Sequence, residues 1–211
     1  MQVIILRTQR NSCIKMKKLI IGIVFLLSAL TAVQAQETKD IEATSYETSN
    51  VIKLNYGPGL VYSDIYDYLK ARIHKASMSL DLSVDYAHTF KNGLGFGLNF
   101  IQSHLNAIGN NDLYAGASLY YGYLHKNRWH FDVSLGLGYS RNDYSDNRNG
   151  VGFFEQTGAH YKLTKHLGVG AEIRLLSCFY KQPDGWEKVA GKDVSFGTKR
   201  VALTLGAQYY F

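Results

Sequence analysis

The feature that most constrains the fold of this chain is an alternation of apolar and polar residues with a period of two. In residues 201–211 every second side chain is apolar, and this apolar set is Val201, Leu203, Leu205, Ala207, Tyr209 and Phe211. Successive side chains of a β-strand point to opposite faces, so the segment predicts a strand with one apolar and one polar face. The same period recurs along most of the chain.

Eight segments follow this period and are predicted to be strands: residues 51–61, 77–90, 94–104, 112–125, 128–141, 150–163, 166–180 and 199–211. Tight polar turns join the second strand to the third, the fourth to the fifth and the sixth to the seventh. Longer connections join the other strands. Short turns that alternate with longer loops are typical of barrels that cross a membrane. The predicted fold class is therefore all-β, an eight-stranded antiparallel transmembrane β-barrel.

The alternation alone does not decide which face lies inside, because a soluble lipocalin-type barrel also has eight strands, with its apolar face inward. The polar face here is rich in glycine and small hydroxyl side chains, which suit a narrow lumen. Aromatic residues cluster near both ends of the strands, as in the two interfacial bands of a membrane barrel. The sequence also ends within a strand, at Phe211. These features favour an apolar face that points outward into lipid.

Residues 1–35 are predicted to be a secretory signal peptide. A basic stretch precedes a run of about a dozen apolar residues, and small residues precede a cleavage site after Ala35. Met16 is the more natural start of translation, because it lies directly before this pattern. Residues 36–50 are then a short periplasmic N-terminal segment, and residues 51–211 form the barrel.

The charge of the mature chain gives no support to a nucleic-acid partner. The sequence has 23 Lys and Arg against 17 Asp and Glu, but five of the basic residues and none of the acidic ones lie in residues 1–35. The remaining 18 basic residues nearly balance the acidic ones. Cys13 would leave with the signal peptide, so Cys178 stands alone and no internal disulfide is expected.

Charged residues in the middle of the strands identify the inward face. A basic side chain on the lipid face near the membrane midplane costs about 2–4 kcal/mol, so the face with these charges is predicted to line the lumen. Both signs occur in similar numbers, which favours a salt-bridged plug over a proton or ion path. Glu155 would point outward, and we expect it in the headgroup zone or at a bulge. The predicted polar network is Lys53, Asp81, Asp85, Asp132, Glu172 and Arg174, with His130, His160 and Lys162 on the same face.

These features together resemble the small eight-stranded outer-membrane barrels of the OmpA/OmpX-like superfamily, over the whole mature chain. The resemblance implies that the last strand is the signal read by the barrel-assembly machinery, at Leu205, Ala207, Tyr209 and Phe211. It also implies residence in the outer membrane of a Gram-negative bacterium, with outer-membrane lipids and lipopolysaccharide as partners. The signal peptide ending at Ala35 is similar to those common in Bacteroidota.

This superfamily includes adhesins, structural barrels and a few lipid A-modifying enzymes, so the fold does not select a function. The His-x-Ser motif of the deacylases is absent at both His130 and His160. Ser103 and His104 are adjacent and therefore point to opposite faces of a strand. Residues 36–50 lack the amphipathic stripe of a palmitoyltransferase helix. Since no metal-ligand pair has a useful spacing either, we expect no enzyme, no metal and no cofactor.

The predicted function is that of a non-enzymatic outer-membrane barrel with a plugged polar lumen and a structural, adhesion or ligand-recognition role. A lipid A-modifying enzyme and a narrow porin-like channel are the alternatives. The long loops offer a basic cluster that could meet lipopolysaccharide phosphates, and an aromatic and cationic set suited to a protein contact. The candidate contact residues are Lys70, Arg72, Trp186, Lys188, Lys192 and Phe196.

Overall fold

The structure is a computed structural model that describes residues 49–61, 78–106, 109–125, 128–143, 148–181 and 196–211. Its strands are β1 (Ser49–Val61), β2 (Met78–Thr89), β3 (Leu94–Leu105), β4 (Asn110–His125), β5 (Trp129–Asn142), β6 (Arg148–Lys162), β7 (Leu167–Tyr180) and β8 (Gly197–Tyr210). The predicted signal peptide lies outside the described residues. Within the described ranges, no helix is long and apolar enough to cross a membrane.

The eight strands close into a barrel because β8 returns to pair with β1. Every strand is antiparallel to its neighbours in chain order, and the closing register places Val51 opposite Tyr210 and Leu60 opposite Val201. The pairing of β1 with β8 is interrupted at Gly57 and Pro58, and the proline has no backbone N–H to donate. Closure of the sheet removes its edges. The predicted eight-stranded antiparallel barrel is confirmed.

The apolar face of the barrel points outward and the polar face points inward. On β1, Lys53 and Asn55 are buried, whereas Leu54 and Tyr56 are each 55% exposed. The same alternation runs along the other strands, so large apolar side chains cover the outer surface. An apolar exterior around a polar interior is the arrangement of a barrel that crosses a membrane. The transmembrane fold class is thus the one that the chain adopts.

The two ends of the barrel differ in their connections. The end that holds Ser49 and Phe211 has turns of three or four residues, and we call it the turn end. At the opposite end, the loop end, connections of sixteen residues join β1 to β2 and β7 to β8. The connection from β3 to β4 at the loop end is shorter than predicted, because the ladder extends to the pair of Leu105 with Asn110. Short and long connections therefore do not alternate strictly.

Strand β6 keeps an unbroken register with both neighbours, so it contains no bulge. Glu155 lies at the middle of this strand on the outer face, opposite Leu135 on β5 and Leu175 on β7. Its side chain is half-buried. The expected bulge is absent, and Glu155 lies at mid-strand rather than near either strand end.

Candidate functional site in the barrel lumen

Lys53 holds the turn half of the lumen together. Its Nζ donates to Oδ1 of Asp132 at 2.7 Å and to Oε1 of Glu172 at 3.0 Å. All three side chains are buried. Burial of a charge costs several kcal/mol unless the charge is paired and hydrogen-bonded. The three groups therefore tie together β1, β5 and β7, which are not neighbours in the sheet.

Arg174 makes a second set of cross-lumen contacts at mid-height. Its Nη2 lies 3.1 Å from Oδ2 of Asp85 and 3.1 Å from Oε2 of Glu172. The same nitrogen donates to Gln156 and to Ser83, each at 2.8 Å. Glu172 is shared with the lysine, so the two cations and three carboxylates are continuous. We call this set the Lys53–Arg174 network; its members are Lys53, Asp85, Asp132, Glu172 and Arg174.

Two histidines lie on the turn-end side of this network. His130 on β5 is directly opposite His160 on β6, and their ring centres are 6.4 Å apart. Oδ2 of Asp132 lies 3.7 Å from Nδ1 of His130 and 3.4 Å from Nδ1 of His160. Tyr120 stacks on the His130 ring, and Tyr210 meets its plane edge-on. His130 is the second residue of β5, so the group lies close to the mouth of the lumen at the turn end.

A second ionic group lies in the loop half, around Arg200. Its Nη1 donates to Oδ2 of Asp112 at 2.6 Å, and its Nε lies 3.5 Å from Oδ2 of Asp81. Asp112 also accepts from Thr198 at 2.5 Å and from Asn142. Asp81 therefore belongs to this second group rather than to the Lys53–Arg174 network, although the sequence predicts one network for all of these charges.

Apolar and aromatic side chains fill the rest of the loop half. Tyr114 stacks on Phe154 with ring centres 5.9 Å apart, and the rings of Tyr180 and Phe196 meet at 6.4 Å. These side chains pack as in the core of a soluble protein, so they close the loop half of the lumen. We call them the apolar cluster; its members are Ile101, Tyr114, Phe154, Leu176, Cys178, Tyr180 and Phe196.

The structure corrects the prediction that Phe196 is an exposed loop contact. Its carbonyl accepts a hydrogen bond from the backbone N–H of Tyr180 at 2.9 Å, which extends the β7–β8 ladder beyond Gly197. The side chain is only 4% exposed and lies inside the barrel. It lies 5.8 Å from the guanidinium carbon of Arg148. The other predicted contacts lie outside the described residues: Lys70, Arg72, Trp186, Lys188 and Lys192.

The predicted assembly residues in β8 and at Phe211 all lie on the outer surface. Leu205, Tyr209 and Phe211 are more than half exposed, and Ala207 is exposed beside them. The backbone of Phe211 pairs with Asn50 in both directions, at 3.0 and 3.1 Å. The Tyr209 and Phe211 rings stack at 6.0 Å. This position suits an interfacial aromatic band, and recognition by the assembly machinery stays a prediction.

Ser103 and His104 do not come together. Ser103 is buried in the lumen, whereas His104 lies on the outer surface and contacts Oδ1 of Asn111 through Nδ1 at 3.0 Å. Two neighbouring residues of a strand cannot share a face. A hydrolytic Ser–His pair is therefore not formed by these two residues.

Sequence reasoning missed two charged residues of the lumen, Asp112 and Arg200. Each lies near the loop end of its strand, before the clear alternation of apolar and polar residues begins. A signal was nevertheless present, because Arg200 has the same parity along β8 as the inward residues Thr204 and Gln208. The parity of a residue within a strand is sufficient to assign its face once the register is known.

No protein-family model matches the sequence, and no curated protein matches it significantly. Among solved structures, the barrel is similar to Neisserial surface protein A, with a TM-score of 0.58 and 13% identity over 78% of this chain and 100% of that one. The N-terminal barrel domain of Pseudomonas aeruginosa OprF has a TM-score of 0.49 and 12% identity, over 78% of this chain and 100% of that one. Ail of Yersinia pestis has a TM-score of 0.48 and 14% identity, over 78% and 99%.

The likeness to Neisserial surface protein A extends over the whole of that barrel. Because the sequence identity is low, the likeness establishes only a shared fold. A shared fold hosts many functions.

Proposed function

We propose that this chain is a non-enzymatic barrel of the outer membrane of a Gram-negative bacterium, exported by a signal peptide in residues 1–35. The apolar outer surface and the likeness in fold to a neisserial surface protein support this location. The aromatic side chains at both ends of the barrel support it too, because such rings favour the interfaces of a membrane. Assembly would use the last strand as its signal, and the signal-peptide end at Ala35 suits a source in Bacteroidota.

The observation that carries the functional proposal is the filling of the lumen. In the turn half, the Lys53–Arg174 network spans the barrel, and in the loop half, the apolar cluster occupies the interior. An eight-stranded barrel has room for little more than its own side chains. The lumen is therefore plugged rather than conducting, and any contact with other molecules takes place at the ends or on the outer surface.

The loop end is the proposed recognition surface. Its two sixteen-residue connections contain the cationic and aromatic candidates Lys70, Arg72, Trp186, Lys188 and Lys192. Cations at this end would meet the phosphates of lipopolysaccharide in the outer leaflet. A structural or adhesive role through these connections needs no chemistry inside the barrel. Reversing the charge of Lys70 and Arg72 should weaken binding to lipopolysaccharide vesicles, and unchanged binding would refute this contact.

Planar-bilayer recording tests the plugged lumen. The purified protein, inserted into a bilayer, should give no steady current under an applied voltage, while a known porin in the same chamber conducts. Insertion is verified independently by a heat-dependent shift of the folded band on a gel of the membrane fraction. A reproducible single-channel current from the inserted protein would contradict the plugged lumen and favour the narrow channel.

A further inference from the structure

Three ligand-bearing side chains converge at the turn end of the lumen, and the plug does not use all of their atoms. His130 and Asp132 are two residues apart on β5, so both face the lumen. His160 comes from the adjacent strand, directly opposite His130. The sequence predicts no metal-ligand pair with a useful spacing. His130 and Asp132 do have one, because a spacing of two places both side chains on the same face of a strand.

Two of the three separations between the ligand atoms match a tetrahedral metal centre. Oδ2 of Asp132 lies 3.4 Å from Nδ1 of His160 and 3.7 Å from Nδ1 of His130. A complete set of one ligand atom from each residue lies within 4.8 Å. Metal–ligand bonds of about 2.0–2.1 Å in a tetrahedron separate neighbouring ligand atoms by about 3.4 Å. An ion at the centre of this group would therefore need only small movements of the side chains.

These atoms are buried without a hydrogen bond of normal geometry. Nδ1 of His130, Oδ2 of Asp132 and both ring nitrogens of His160 have no such partner among the described residues. His160 is fully buried. A buried acceptor that lacks a partner destabilises the folded state. A bound cation would satisfy three of these atoms at once, which is a physical reason for their convergence.

Neighbouring charged groups are placed as the outer shell of a metal site requires. Oε1 of Glu172 lies 3.5 Å from Nε2 of His160, the nitrogen opposite the proposed ligand atom. A carboxylate on that side orients the imidazole and fixes which nitrogen carries the proton once the ring moves into hydrogen-bond geometry. Nζ of Lys53 donates a hydrogen bond to the other oxygen of Asp132, Oδ1, at 2.7 Å. The lysine thus fixes the carboxylate and leaves Oδ2 for an ion.

Gly122 and Gly158 lie beside the imidazole rings of His130 and His160, and their lack of side chains provides the space for these rings. A Cβ atom at position 158 would lie 2.7 Å from Cε1 of His160 and 3.2 Å from Oδ1 of Asp132. A Cβ atom at position 122 would lie 2.9 Å from Nε2 of His130. All three distances are shorter than a normal van der Waals contact, so side chains at Gly122 and Gly158 would displace the rings.

We propose that His130, Asp132 and His160 bind a divalent transition-metal ion, for which Zn²⁺ is the best fit, at the turn-end mouth of the lumen. Two imidazoles and one carboxylate suit Zn²⁺, and also Co²⁺, Ni²⁺ or Cu²⁺, whereas Mg²⁺ and Ca²⁺ prefer oxygen ligands alone. Three protein ligands leave the fourth tetrahedral position for water. The ion would cross-link β5 and β6 next to the Lys53–Arg174 network.

Titration of the untagged, full-length protein in detergent micelles with ZnCl₂ tests this site. Calorimetry and elemental analysis after dialysis should give one Zn²⁺ per chain and no binding of Mg²⁺. The substitutions His130→Ala and His160→Ala should each weaken Zn²⁺ binding by more than about tenfold, and Glu172→Gln by about tenfold as an outer-shell change. His104→Ala is the matched control and should bind Zn²⁺ as the wild type does, because His104 lies on the outer surface at the loop end.

Absence of stoichiometric Zn²⁺ binding by the wild type overturns the proposal, and so does wild-type affinity in the double variant of His130 and His160. The heat-dependent gel shift shows whether each variant is folded. If the variants do not fold, the absorption spectrum of Co²⁺ bound to the wild type still tests the site. Co²⁺ at this site should produce the visible absorption bands of tetrahedral coordination, which one equivalent of Zn²⁺ should abolish. Spectra that show only octahedral Co²⁺ exclude the proposed geometry.

Discussion

In the turn half of the lumen the filling side chains are mainly charged and are held by directed hydrogen bonds, whereas in the loop half a packed aliphatic and aromatic cluster lies beside a smaller ionic group around Arg200. The Lys53–Arg174 network joins strands that are far apart in the sheet. The apolar cluster instead resembles a small protein core. The lumen is therefore stabilised by two kinds of interaction: an ionic network in the turn half and apolar packing in the loop half.

The two regions should respond differently to substitution. A buried ionic network gains little over well-packed apolar residues, but removal of one partner leaves an uncompensated charge in a dry environment. An apolar cluster loses free energy roughly in proportion to the cavity created, and it tolerates substitutions that conserve volume. The network therefore depends on the identity of each residue, while the cluster depends on its total volume.

The largest effect is expected from Arg174→Met in the Lys53–Arg174 network. This substitution removes the cation that faces Asp85 and contacts Glu172, and it should lower the free energy of unfolding by about 3–5 kcal/mol. Urea titration of the barrel in lipid vesicles, followed by tryptophan fluorescence, measures the change. Arg141→Met removes an exposed arginine on β5 and should stay within about 0.5 kcal/mol. Equal effects of the two substitutions would show that the network contributes no more than a surface charge.

A smaller effect is expected from Leu176→Ala in the apolar cluster. Leu176 is 1% exposed inside the barrel, and the cavity left by truncation should cost about 2–4 kcal/mol. The adjacent Leu175 provides a matched control, because it has the opposite parity and lies on the outer surface. Lipid can fill the space left by Leu175→Ala, so that variant should lose clearly less stability in the same urea titration. A larger loss at Leu175 would mean that the loop half of the lumen is loosely packed.

The fold was predictable because the alternation is both long and repeated. A period of two assigns a face to every residue of a strand, and placing charges such as Asp85 and Arg174 in lipid is too costly to allow the opposite assignment. The strand ends were less predictable. Pairing at Leu105 and Asn110 continues for residues whose composition is that of a turn, so the β3–β4 hairpin is tighter than expected.

The lumen was predictable in its charges but not in its contacts. Parity places Phe154 and Leu176 inward, but it does not show that they pack against Tyr114 and one another. Phe196 precedes its strand, and its place in the barrel becomes visible only with the backbone hydrogen bond that its carbonyl accepts from Tyr180. The convergence of the two histidines on Asp132 depends on the cross-strand register of β5 and β6, which sequence alone does not provide.

The smallest effect concerns the boundary between the two regions, where the guanidinium of Arg174 lies over the Phe154 ring at 5.6 Å. A cation over an aromatic face contributes about 0.5–2 kcal/mol, with the larger values in dry sites. The double-mutant cycle of Arg174→Met with Phe154→Leu, measured by urea unfolding, should therefore show a coupling of about 1 kcal/mol. Phe96→Leu on the outer surface shares no partner with Arg174, so its cycle should be additive within about 0.5 kcal/mol. Additivity in both cycles would make the ionic and apolar regions energetically independent, whereas coupling at Phe154 alone makes this ring the contact that joins them.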